Sequence, residues 1–204
     1  QRATQHKVVI DAAKRAGVKL LAYTSVLRAD TSPLGLAVEH KETEDYLRAS
    51  GVPFTLLRHG WYTENYTAGI PSALAHGAVF GAAGDGRISS ATRADYAEAD
   101  ATVLTAENQA GKVYELAGDT SYTLTEFAAE IARQTGKAIG YVNLPEAEYK
   151  KALLGAGLPE FLAELLANSD TGVAKGGLHV EGKQLSKLIG RATTSLAEAV
   201  KAAL

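Results

Sequence analysis

Two short apolar runs constrain this chain more than any other feature. Residues 18–25, VKLLAYTS, and 52–58, VPFTLLR, each have an almost unbroken apolar centre. Each follows a polar, helix-forming stretch that a glycine ends, Gly17 before the first and Gly51 before the second. A strand apolar on both sides is one buried on both faces, as in parallel sheets. Helix, strand, helix, strand with connections this short argues right-handed parallel crossovers in an α/β layer. Strands 18–25 and 53–58 are therefore expected to lie parallel in one sheet, with helices 4–16 and 36–50 packed on it.

In such a sheet, ligands sit beyond the carboxyl ends of the strands. The second strand runs out into His59-Gly60-Trp61-Tyr62-Thr63-Glu64-Asn65-Tyr66, which holds the only tryptophan and two tyrosines. This segment is the expected wall of a site, because loops beyond parallel strands are enriched in function. The alternative role for Trp61, Tyr62 and Tyr66 is to cover the core where a helix starts.

Further along, 78–83 and 87–91 read as short strands around a tight turn at Gly84-Asp85-Gly86. Residues 94–107 read as a helix, 112–117 as a strand and 139–144 as another. Thr123 and Glu126 have capping-box spacing and open a helix to Thr135 that Gly136 closes. Residues 146–154 and 160–166 are amphipathic helices, 170–177 a glycine-rich loop, and 182–189 and 195–204 two short helices. No strand, glycine-rich turn and helix opens the chain, so the phosphate cradle of a dinucleotide site is not visible. The glycines at 84 and 86 do not replace it, since no helix follows them directly.

A net charge of −2 gives no electrostatic footprint for nucleic acid or an anionic membrane. No apolar run approaches the roughly 20 residues of a membrane span. With no cysteine, thiolate chemistry and disulfides are excluded, which fits a reducing compartment, and the cytoplasm is the expected location. His76 and His179 have no ligand spacing, so no metal site is expected.

Taken in order, VKLLAYTS, SPLGLAVEHKETEDYL, VPFTLLRHGWYTENY, GDGRISSATRADYA and the final TTSLAEAVKAAL resemble the NmrA-like atypical short-chain dehydrogenases. The resemblance spans essentially the whole chain and is nearest the quinone-reducing and triphenylmethane-reducing branches. It implies the carboxyl-terminal part of a Rossmann-like parallel sheet layer in 1–66. A smaller α/β substrate subdomain would occupy most of 67–204, with some elements returning to the sheet. It also implies that a glycine-rich half of about 80 residues precedes Gln1, in keeping with a chain that has no methionine.

Related dehydrogenases carry Tyr-x-x-x-Lys, an acidic residue four positions on, and Ser or Thr at the end of the preceding strand. Aligning Glu44 with the acidic residue puts His40 at the lysine and Leu36 at the tyrosine, while Thr24 and Ser25 match the Ser/Thr position. The general-acid tyrosine is thus absent. Reducing a carbonyl requires a proton at a developing alkoxide. A quinone requires less, because its hydroquinone anion is stable and solvent can protonate it. The resemblance therefore implies NADPH-dependent, flavin-free, metal-free two-electron reduction of a quinone or similar flat electron acceptor. His40 is the catalytic candidate. Thr24, Ser25, His59, Gly60, Trp61, Tyr62, Thr63, Glu64 and Arg93 are the cofactor-side candidates, and Trp61, Tyr62 and Tyr66 the acceptor-side ones. An NADP-sensing regulator without turnover, or an inactive fragment, are the alternatives. The resemblance leaves a homo-oligomer open.

Overall fold

The computed structural model describes residues 2–204. Helix α1 (Arg2–Ala16) ends with Lys14 and Arg15 in its last turn, where cations oppose the helix dipole. Strand β1 (Leu21–Val26) follows, then α2 (Leu36–Ser50), which stops at Gly51 in the left-handed conformation (φ +77°). Strand β2 (Phe54–His59) pairs parallel with β1, Leu21 opposite Phe54 and Val26 opposite His59. Two short helices come next, α3 (Glu64–Thr67) and α4 (Ile70–His76), neither anticipated from the sequence.

After α4 the elements divide between two places. Strand β3 (Ala78–Gly81) starts a second sheet. Helix α5 (Arg93–Thr105) and strand β4 (Val113–Leu116) return to the first, where β4 lies parallel to β2 and completes the order β1-β2-β4. Helix α6 (Leu124–Thr135) has the capping box expected at Thr123 and Glu126. Strand β5 (Gly140–Asn143) then pairs parallel with β3. Helices α7 (Glu146–Gly155) and α8 (Glu160–Ala174) form a hairpin, and α9 (Gln184–Ile189) and α10 (Leu196–Ala203) close the chain.

Two expectations give way here. Residues 87–91 form no strand: Ile88 and Ala91 make isolated bridges to Tyr122 and Tyr62, and β3 takes its partner from β5 instead. Gly84-Asp85-Gly86 is therefore not a hairpin turn. The stretch 170–177 is not a loop throughout, because α8 runs on to Ala174. Its Gly172 is there for close packing, since a Cβ would come within 2.6 Å of Leu34 Cδ2.

Each face of the first sheet has its own core. Ile10, Leu47, Val52 and Leu56 pack between the sheet and the α1–α2 pair. On the opposite side Leu57, Leu116, Tyr96, Ala99, Val103 and Leu185 pack under α5 and α9. A third cluster joins the loop after β1, through Val26, Ala29 and Leu34, to Trp61, Ile70, Phe127, Ile131 and Val173. It ties the carboxyl end of the first sheet to the second sheet and its helices.

Candidate active site at the carboxyl end of the sheet

The carboxyl end of β2 begins with a buried charge cluster. Arg58 is 4% exposed on a strand with apolar neighbours, so its guanidinium needs partners. It donates from Nε and Nη2 to the fully buried Glu44 at 2.8 and 2.5 Å, and from Nη1 to Glu115 at 2.9 Å. Asp30 lies 2.6 Å from Nη2. Ser25 Oγ donates to Glu44 Oε1 at 2.6 Å. These bonds hold Arg58 charged, well above the ordinary arginine value. The cluster fastens α2, β2, β4 and the loop after β1 together. No spacing in the sequence announces it, since its members are scattered between positions 25 and 115.

The side chains expected to meet a ligand sit around this anchor in different ways. Thr24 is exposed at the end of β1 and its hydroxyl makes no hydrogen bond, while Ser25 is buried and committed to Glu44. His40 accepts from or donates to the Tyr23 hydroxyl through Nδ1 at 2.8 Å, with His6 and Thr43 beside them. Burial first, then Arg2 and His6, pushes the His40 pKa down to about 4. At neutral pH its ring is therefore uncharged, and a neutral ring hydrogen-bonds but is a poor acid.

His59 is buried, stacked on Tyr96 with centroids 4.3 Å apart, and bonded through Nε2 to Asp100 at 3.0 Å. Gly60 is a point of close approach, but to its own chain: a Cβ would lie 3.2 Å from the Ser89 carbonyl oxygen and 3.1 Å from Tyr96 Oη. Trp61 is 7% exposed and belongs to the core with Leu34 and Ile70. Backbone bonds from Thr63 N–H to Ala91 C=O and from Ala91 N–H to Trp61 C=O fix this turn. Thr63 is buried, its hydroxyl 2.8 Å from Ser90 Oγ, which in turn meets the Tyr122 hydroxyl.

Tyr62 and Glu64, both half-buried, stand beside the exposed Arg93, and the Tyr62 ring packs edge-on against Tyr96. The Arg93 guanidinium stands 4.2 Å from the Tyr62 ring centre, a cation–π arrangement. Arg93 also donates to Asn65 Oδ1 at 3.1 Å, and its backbone N–H to Glu64 Oε1 at 2.9 Å. Glu64 Oε2 is buried without a hydrogen-bond partner, the one such side-chain atom among the described residues. Tyr66 packs on Phe127 and Tyr122. Asp95, in the first turn of α5, is a clamp rather than its cap. Thr92 caps α5, and buried Asp95 accepts from Thr194 N–H and Oγ1 and pairs with Arg191.

An exposed hydroxyl, a guanidinium over an aromatic ring, a carboxamide and an unpaired carboxylate oxygen are a donor and acceptor set that suits a flat carboxamide ring and sugar hydroxyls. Among the described residues no group of three or more His, Cys, Asp or Glu could hold a metal ion, and no helix is long and apolar enough to cross a membrane.

Parallel sheets of this kind take ligands beyond the carboxyl ends of their strands. Residues 1–107 match the NAD(P)H-binding family, and the chain belongs to that family. It is 61% identical over 200 residues to quinone oxidoreductase 2 of Escherichia coli (strain K12), covering 98% of this chain and 70% of that protein. Its fold superposes on the E. coli NADPH-dependent quinone oxidoreductase complexed with NADPH at a TM-score of 0.96, with 60% identity over 99% of this chain and 71% of that one. The Citrobacter sp. triphenylmethane reductase complexed with NADP(H) is 37% identical, at a TM-score of 0.93 over 99% of this chain and 71% of that one.

Proposed function

We propose that the protein catalyses two-electron reduction of quinones by NADPH, through direct hydride transfer and with neither flavin nor metal. The observation that carries this reading is the state of the positions where related dehydrogenases keep their acid. Leu36 stands at the tyrosine position, and His40, at the lysine position, is neutral at physiological pH. A site so poor in proton donors suits an acceptor whose reduced anion is stable. The 61% identity to a quinone oxidoreductase supports the same reading.

Bound NADPH supplies the hydride, and the residues supply position and shielding. Thr24 would hold the nicotinamide half through its hydroxyl, while Arg93 and Glu64, which line the neighbouring cavity, would stand between the cofactor and the acceptor and bond the acceptor oxygen. Ser25, His59, Gly60, Trp61 and Thr63, already committed to the protein, would shape the wall rather than reach out. Tyr62, with Arg93 on its face, and Tyr66 would bound the acceptor. With the Tyr23 hydroxyl donating to Nδ1, the His40 ring keeps its proton on Nε2, as a neutral donor that orients a ligand oxygen. Loss of NADPH absorbance in the presence of a benzoquinone tests the reading. Acceptor-dependent oxidation is expected. NADPH binding without turnover across a quinone panel would refute it and favour a nucleotide sensor.

A further inference from the structure

The α7–α8 hairpin is built unlike the other helices. Prolines at 145 and 159 precede its two helices, and α7 buries none of its own residues. Between this hairpin and the floor formed by α3, α4 and β3 lies a cavity of about 660 Å³. Its two ends differ in chemistry. Glu64 and Arg93, from the candidate site, stand at one end, and Phe127, Leu153, Leu162 and Leu166 line the rest. No lysine, and no carboxylate other than Glu64, lines it. A volume of this order accepts a whole drug-sized molecule, far more than a lone quinone ring needs.

We propose that this cavity takes the hydrocarbon side chain of the acceptor, so that the preferred substrates are quinones bearing an alkyl or prenyl tail. The inference rests on the quinone-reductase reading and goes beyond it in naming the substrate class. The polar end fits a head group that accepts hydrogen bonds: Arg93 donates to the quinone oxygen. Hydride addition and one proton from water turn the quinone into its hydroquinone, whose new hydroxyl is a donor for Glu64 Oε2, the carboxylate oxygen that has no partner within the protein. The tail lies along the leucines, where every methylene removed from water adds affinity. The hairpin explains how a long chain enters, because α7 has no fully buried residue, holds to the molecule chiefly through the half-buried Tyr149 and Leu153, and can part from the floor at modest cost.

The test is a benzoquinone series carrying methyl, butyl and decyl chains, read by kcat/KM and by calorimetric binding to the wild-type protein. From methyl to butyl, KM and Kd are expected to fall about tenfold or more. Ala152→Phe, on α7, and Ala156→Phe, just after it, project rings into the cavity at exposed positions where no core packing is at stake. They should cut the preference for decyl over methyl about tenfold or more. Lys151→Ala, on the same helix but outside the cavity, should leave that preference as it is. Turnover with no dependence on chain length, or a preference indifferent to both phenylalanines, overturns the proposal. Chain-length-dependent binding without turnover of any quinone leaves the tail cavity standing and refutes the quinone-reductase reading instead.

Discussion

Asp170 is the perturbation with the sharpest consequence. It sits on α8, 4% exposed, and accepts a single hydrogen bond, from the Ala82 N–H at 2.8 Å. Gly81 beside it has no room for a side chain, since a Cβ would lie 2.7 Å from Asp170 Oδ2. Tyr66, Tyr141 and Tyr149 surround it, each with its own pKa raised, by burial first and then by this carboxylate among other neighbours. Burial pushes the Asp170 pKa from 3.8 up to about 6, with the Ala82 bond only partly opposing it. A rise of about two pKa units is a penalty of about 3 kcal/mol on the ionised form.

The sign follows from proton counting. The folded protein holds this proton up to about pH 6 while the unfolded chain releases it near 3.8. Stability from this group is therefore full below pH 4 and is lost as pH rises through 6. Asp170→Asn removes the penalty and keeps an acceptor for Ala82. Burying the new amide gives back about 1 kcal/mol. The variant should gain about 1–2 kcal/mol at pH 8, a rise in Tm of roughly 2–8 °C for a chain of this size. Near pH 4 the gain should vanish.

His40 acts in the opposite sense over the same window. Its pKa is 6.5 unfolded and about 4 folded, so its stabilisation is full above pH 6.5 and lost as pH falls through 4. The two slopes oppose each other in the wild type, and Asp170→Asn should expose the rise in stability with pH that His40 produces. Thermal melts by circular dichroism from pH 4 to 8, read as variant minus wild type, isolate each group. A Tm difference independent of pH, or an Asn variant less stable than wild type at pH 8, would refute the burial argument.

Arg58→Ala should destabilise by about 3–5 kcal/mol in chemical denaturation, because it strands Glu44 in the interior without a counter-charge. Trp61→Ala should cost a similar amount, as a large ring lost from the core, so its activity must be compared at a temperature where the variant is folded. Tyr62→Ala should cost less stability than Trp61→Ala, since the ring only borders the core, yet lower quinone kcat/KM on the order of 100-fold if the ring positions the acceptor; unchanged turnover would remove Tyr62 from the acceptor wall. His40→Gln keeps a hydrogen-bonding end and should cost less turnover than Tyr62→Ala, and a larger loss would give His40 a more direct role. Leu36→Tyr should not be needed for quinone turnover, and a large gain from it would point to a missing acid.

The elements legible in the sequence are those set by local chemistry. Gly51 in a left-handed cap, the Thr123–Glu126 box and two unbroken apolar runs all act within a few residues, and the parallel pairing of β1 with β2 follows from them. What sequence reading misses depends on contacts made far along the chain. The 87–91 segment looks like a strand, yet β3 is claimed by β5, some sixty positions on, and local pattern says nothing of that choice. Gly172 looks like loop chemistry until Leu34 is seen against it.

The same reasoning separates Trp61 from Tyr62, adjacent residues that the resemblance assigns the same role. Side chains alternate along an extended chain. Which of the two turns inward is settled only when Ala91 bonds to this segment on both sides and fixes its rotation. The indole is then carried into the cluster around Leu34 and Ile70, while the phenol is left half-buried under Arg93. The larger ring serves the fold and the smaller one is available to a ligand, a division of labour set by a partner thirty residues further along the chain. Swapping the two residues would move the larger ring to the surface and a hydroxyl into the core. It should therefore harm stability and turnover together, whereas each single alanine separates them.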